Sequence, residues 1–199
     1  VSFKAVLWDF GGVISTSPFE SFNLYEEANG LPRDFIRTLN ATNPDSNAWA
    51  HFERREYSVE QFAAAFEAEA RAAGYELEAL HVLGALHGEV RPEVFEMIDA
   101  INDAGFVNAG VTNNFAPMEP SDWHAKFKVI IESSRVGVRK PDPRFYEMAC
   151  DALGVEPAQC VYLDDLGVNL KPAKAMGMTT IKFIEPAAAL KELAEHLGL

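Results

Sequence analysis

Leu7-Trp8-Asp9-Phe10-Gly11-Gly12-Val13 carries a short apolar run straight into a carboxylate. The run, residues 3–8, is continuous rather than alternating in hydrophobicity, as in a strand buried on both faces of a parallel sheet. Asp9 then stands at the carboxyl end of that strand, where open parallel sheets collect their ligands.

Four further runs have the same character, at 106–111, 127–131, 160–163 and 179–183. Between them lie helix-like segments. Residues 92–104 place Val94, Phe95, Ile98 and Ile101 on one face and meet Gly105 as a stop signal; 143–153 is closed by Gly154, and 169–176 by Gly177. Strand and helix alternating in this way predict a doubly wound α/β core with a parallel sheet. Residues 15–88 break the alternation. They hold no convincing strand and are dominated by helical periodicity, most plainly at 58–73, where Ser58 is the expected cap, Gln61 its partner, and Phe62 and Phe66 repeat at i, i+4. An all-helical segment is therefore inserted between the first and second strands.

Composition narrows the partners. The 199 residues are 48% apolar and carry a formal charge of −13, enough for one well-buried domain with an insertion. Such a surface repels nucleic acid and anionic membranes, and an anionic substrate needs local positive potential. No apolar run approaches the roughly 20 residues of a membrane span. The N-terminal residues lack the layout of a signal peptide, and Cys150 and Cys160 have neither metal nor redox spacing, so the expectation is a cytoplasmic protein with two reduced thiols. Monomer and homodimer are both compatible with the composition.

The chemistry gathers at four strand ends. Asp9 follows the first, Thr112-Asn113-Asn114 the second, Arg139-Lys140-Pro141-Asp142 lies beyond the third, and Asp164-Asp165 follows the fourth. Each alone is ordinary: a turn former, a turn, a helix start. Together they converge on one crevice. Asp9, Asp164 and Asp165 crowded there repel and raise one another's proton affinity. A divalent cation relieves this, and an all-oxygen donor set suits Mg²⁺.

With these four motifs in this order the chain resembles the haloacid dehalogenase superfamily, over essentially its whole length. Residues 163–172 and 136–143 are similar to the branch that includes the phosphatase domain of soluble epoxide hydrolase and a related domain of an acyl-CoA dehydrogenase homologue. The resemblance implies a Rossmann-like core of residues 1–14 and 88–199 and a helical cap of residues 15–87. It further implies that Asp9 attacks phosphorus to form an aspartyl phosphate, and that Asp9, the Gly11 carbonyl and Asp165 hold Mg²⁺. Thr112, Asn113 and Lys140 would bind the phosphoryl group. Lys140 would also support Asp9. Asp164 is either an outer partner of the metal site or a partner of Lys140, and Asn169 occupies a position that supports the metal site. The expected reaction is hydrolysis of a small phosphorylated metabolite.

One departure counts against efficient turnover. The family's general acid/base Asp stands two residues after the nucleophile; here that residue is Gly11. A phospholigand-binding module without turnover is therefore the competing reading, and a metal-free dehalogenase the third, opposed by the Asp164-Asp165 pair. A phosphonate-cleaving relative that uses a cap lysine is excluded, because no lysine occurs between Ser15 and Gly88. In the insertion, Trp49 and Phe52 are either a wall of the crevice or cap core. His51, Arg54 and Arg55 either meet a polar ligand group or are solvated, and Arg33 and Arg37 share a helix face. His81, His87 and His124 have no metal spacing.

Overall fold

A computed structural model describes residues 2–86 and 88–199; Val1 and His87 lie outside it. Five parallel strands form one sheet: β1 (Ala5–Trp8), β2 (Val107–Thr112), β3 (Val129–Glu132), β4 (Cys160–Asp164) and β5 (Thr179–Lys182), in the order β3-β2-β1-β4-β5. The chain leaves β1 toward β2 and β3 and later crosses back to β4. The order thus reverses at β1, and the crevice opens at its carboxyl end.

Alternation within each apolar run sorts the side chains into two layers. Val6 and Trp8 of β1, with Val161 and Leu163 of β4, pack on α6 (Pro92–Asp103) and α10 (Pro186–Leu197) through Val94, Ile98, Ile101, Leu190 and Leu193. Ala5 and Leu7, with Val111 and Tyr162, pack on α8 (Pro143–Leu153) and α9 (Gly167–Ala175) through Phe145, Tyr146, Ala149, Leu170 and Ala173. The expected doubly wound α/β fold is therefore present.

Several boundaries shift for local reasons. Pairing begins at Ala5 and Val107, so Phe3 and Phe106 flank the sheet and pack against it from outside the ladder. Phe127 is buried but closes the 3₁₀ turn Asp122–Lys126, with its N–H donating to the His124 carbonyl, so β3 starts two residues later. Helix α9 begins at Gly167, two residues before the expected start, and contains Pro172. A four-residue helical turn, α7 (Ser133–Val136), follows β3 directly. Helix α10 was not among the expected elements.

The insertion is all helical: α1 (Pro18–Ala28), α2 (Phe35–Ala41), α3 (Ala48–Glu53), α4 (Val59–Ala72) and α5 (Ala79–Gly84). It has its own apolar cluster around Trp49, whose ring lies 5.0 Å from Phe62 and 5.8 Å from Phe66. Ser58 and Gln61 form the expected capping box of α4. The other short helices receive glutamates from elsewhere at their first turns, α3 in addition to its local cap, Asn47, which accepts from Ala50 N. Glu26 accepts from Ile36 N at the start of α2, Glu69 from Ala48 N at the start of α3, and Glu67 from Ala79 N at the start of α5. The two strands of chain that cross between insertion and sheet are laced together, Thr16 N donating to Glu89 O and Arg91 N to Ile14 O. Among the described residues no helix is long and apolar enough to cross a membrane.

Candidate active site

Asp9 leaves the end of β1 with its N–H donating to Leu163 O of the neighbouring strand at 3.0 Å. Its Oδ1 is held twice, by Phe10 N at 2.6 Å and by Lys140 Nζ at 2.7 Å. Lys140 Nζ also lies 2.9 Å from Asp164 Oδ2. The ammonium is 2% exposed and is thus buried between two carboxylates. Burial works to lower its proton affinity, but Asp164 and Asp9 outweigh burial and hold it above the ordinary lysine value.

Asp164 is saturated. Besides Lys140 it accepts from the Tyr162 hydroxyl, from Leu166 N at 2.8 Å and from Asn169 Nδ2 at 3.1 Å. Burial raises it, yet these donors together win and keep it below the usual aspartate range. The structure thus brings Asp164 to Lys140, one of the two alternatives, and brings Asn169 to Asp164. Tyr162 was absent from the expected site. Its signal was its place two residues before Asp164 on one strand, hence on the same face.

Asp9, Asp164 and Asp165 each offer an oxygen within 4.8 Å of the others. Asp9 is pushed well above the ordinary value by burial and by Asp164, against the pull of Lys140. Asp165 is pushed up to about 6, again by burial first and Asp164 second. Three carboxylates with one ammonium leave negative charge uncompensated. A hard divalent cation, taking oxygen ligands, fits this donor set. Gly12 makes room for it to form: its φ is +91°, and a Cβ there would stand 2.4 Å from Asp165 Oδ2. At Gly11 a Cβ would meet only Pro18 Cδ at 3.5 Å, an ordinary contact.

Thr112 and Asn113 arrive at the end of β2 as expected, and Thr112 is buried. The Asn113 amide, however, is engaged with the main chain of Lys140: Lys140 N donates to its Oδ1 at 2.8 Å and its Nδ2 donates to Lys140 O at 3.0 Å. It fastens the lysine loop to β2. Ser133 and Glu132, unforeseen, anchor the adjoining loop through Asn114 N and Met118 N. Asp142 caps α8 by accepting from Arg144 N.

The insertion resolves its own alternatives. Trp49 and Phe52 are buried in its core. His51 and Arg54 pair with Glu56, and Arg55 is exposed. Arg37 lies over the Phe19 ring at 4.6 Å. Two contacts bring α3 onto the crevice rim. Phe52 stacks on Phe115 at 5.0 Å, and Arg139, beside Lys140, reaches Pro44 O at 2.9 Å and Glu53 Oε2 at 2.8 Å.

A parallel α/β sheet with a buried lysine and three carboxylates at its central strand ends defines an enzyme-like crevice protein. The family model for haloacid dehalogenase-like hydrolases matches residues 3–177, and the chain belongs to that family. Acyl-CoA dehydrogenase family member 10 of Mus musculus is 32% identical over 206 residues, covering 99% of this chain and 19% of the relative. Bifunctional epoxide hydrolase 2 of Mus musculus is 27% identical over 218 residues, covering 100% and 39%. The chain therefore spans well under half the length of these two proteins. Sesquiterpene phosphatase astK of Aspergillus oryzae is 25% identical over 204 residues, with 99% and 98% covered. A solved HAD-family enzyme of Bacteroides thetaiotaomicron, in complex with magnesium and inorganic phosphate, shares the fold with a TM-score of 0.64 at 14% identity, covering 91% of this chain and 94% of its own.

Proposed function

We propose that this hydrolase cleaves small phosphomonoesters with Mg²⁺ and that Asp9 is its nucleophile. The observation that carries the reading is the asymmetry at Asp9. Two donors hold Oδ1, which leaves the second carboxylate oxygen as the one free to attack phosphorus. Lys140 keeps that carboxylate oriented and lends positive charge to the transferring phosphoryl group. Asp164, fixed by Tyr162, Leu166 and Asn169, fixes Lys140 in turn. Asn113 sets the height of the lysine loop.

Mg²⁺, held by Asp9, Asp165 and the Gly11 carbonyl, would lower the negative charge between nucleophile and phosphate. Thr112 offers a hydroxyl beside that position, and helices α1–α5 act as a cap that excludes water. A relative named as a phosphatase and a fold neighbour solved with magnesium and inorganic phosphate support this reading. The acidic cluster weighs against a metal-free dehalogenase, in which it would repel the anionic substrate.

The test is a panel of phosphorylated metabolites assayed with Mg²⁺ or with EDTA, with Asp9→Asn as control. Turnover that needs Mg²⁺ and disappears in the variant supports the proposal. Phosphate-analogue binding without turnover would support a non-catalytic ligand module instead, the reading that Gly11 favours. Halide release that survives EDTA would support dehalogenation.

A further inference from the structure

Phosphomonoester hydrolysis needs a proton twice. The departing alkoxide must receive one, and the water that attacks the phosphoenzyme must give one up. The groups at the strand ends are not available for this. Asp164 is saturated, Asp9 is the nucleophile, Asp165 belongs to the proposed metal site, and Gly11 has no side chain. The histidines among the described residues are engaged elsewhere: His51 with Glu56, His81 with Glu78, His124 with Ser121 and His196 with Glu192.

Glu53 remains. It is the last residue of α3 and points from the insertion to the loop that carries Lys140. The neighbouring Phe52 is clamped on Phe115, three residues beyond Thr112, so this end of α3 is pinned to the crevice rim from two sides. Its side chain is 16% exposed. Arg139 Nε lies 2.8 Å from Glu53 Oε2 without the alignment of a hydrogen bond, and among the described residues the oxygen has no hydrogen-bond partner.

We propose, building on the phosphatase reading, that Glu53 is the proton-transfer group of this site, supplied by the insertion. In the first step the Asp9 oxygen bonds to phosphorus, the bond to the alcohol oxygen breaks, and that oxygen takes the Glu53 proton. In the second, water oxygen bonds to phosphorus and passes a proton to Glu53. The bond to Asp9 breaks, and inorganic phosphate leaves. The carboxyl suits both roles: burial raises its proton affinity, while the facing charges of Arg139, Lys140 and, next in sequence, Arg54 pull it back only in part. Chemistry then depends on closure, because the acid arrives with α3.

Glu53→Gln tests this by leaving-group dependence. With an alkyl phosphate, kcat/KM should fall about 10²-fold or more, and the decline of the wild-type profile on the alkaline side should vanish. With 4-nitrophenyl phosphate, whose leaving group needs no proton, the first turnover should stay within a few-fold of wild type. Phosphoenzyme should then accumulate, and adding Gly11→Asp should restore its breakdown. Equal losses on both esters would overturn the proposal. So would rescue by the charge exchange Glu53→Arg with Arg139→Glu, which would make the pair a latch only. Turnover that survives Asp9→Asn would instead overturn the underlying phosphatase reading, and a wild-type protein with no turnover would sink both.

Discussion

The sheet and the insertion solve opposite problems with opposite materials. At the sheet's carboxyl edge, charge is concentrated: three carboxylates at strand ends and one buried ammonium reaching two of them from the loop before α8. The insertion concentrates aromatic rings, with Phe22, Phe52, Phe62 and Phe66 all packed on Trp49. Electrostatic strain in the first region is what the proposed Mg²⁺ would relieve, and that cation would in turn favour an anionic ligand. Apolar packing in the second gives short helices a body that can seat on the first as a unit.

That contrast is broken hardest at Lys140. Lys140→Met leaves Asp9 and Asp164 facing each other unpaired, which should cost about 3–5 kcal/mol of stability and abolish turnover; denaturant titration and the phosphatase assay read the two effects. In the insertion the matching lesion is Phe62→Ala, fully buried and stacked on Phe52 at 4.4 Å. Its cost should also be about 3–5 kcal/mol. The loss should appear in hydrogen exchange as faster amides in α3 and α4, while β1 and β4 stay protected.

How far each region could be read from the chain follows from the same contrast. The strands were legible because continuous apolar runs of Val, Ile and Leu have one use in a parallel sheet, and the site was legible because its carboxylates sit directly at strand ends and Lys140 lies in the loop beyond β3. Helix α4 was legible through its local cap, Ser58 with Gln61. Helices α2, α3 and α5 are only six or seven residues long. Of these, α2 and α5 have no local side-chain cap and are started by Glu26 and Glu67, partners remote in sequence, while α3 adds the remote Glu69 to its local cap Asn47. Glu53 was invisible for a related reason: only the seating of α3 brings it to Arg139. Asn113 kept its position, but its side-chain hold on the Lys140 main chain was not legible, because the chain does not reveal that this main chain lies opposite it.

The glycine pair sharpens the comparison at smaller scale. Gly12→Ala forces a Cβ into Asp165 at positive φ and should cost about 1–3 kcal/mol together with Mg²⁺ affinity. Gly11→Ala meets only Pro18 and should leave stability within about 0.5 kcal/mol of wild type. Thermal melts with and without Mg²⁺ distinguish them.

The smallest effect is one of pH. Asp165, raised to about 6, binds its proton more tightly in the folded chain than in the unfolded one. Without metal, stability should therefore fall as pH rises from about 4 to about 6, and Asp9, raised in the same direction, adds to the fall. Mg²⁺ binds the ionised carboxylates, so its gain in melting temperature should be clear at about pH 7.5 and vanish near pH 5.

The central claim is that the Asp9 carboxylate becomes bonded to phosphorus. Rapid quenching of the protein during turnover of a phosphomonoester, followed by peptide mass spectrometry, reads this directly. One acid-stable phosphoryl group on the peptide containing Asp9, absent from Asp9→Asn, is the predicted result. Sustained Mg²⁺-dependent turnover with Asp9 never modified, even in the Glu53→Gln background where the intermediate should persist, would contradict it.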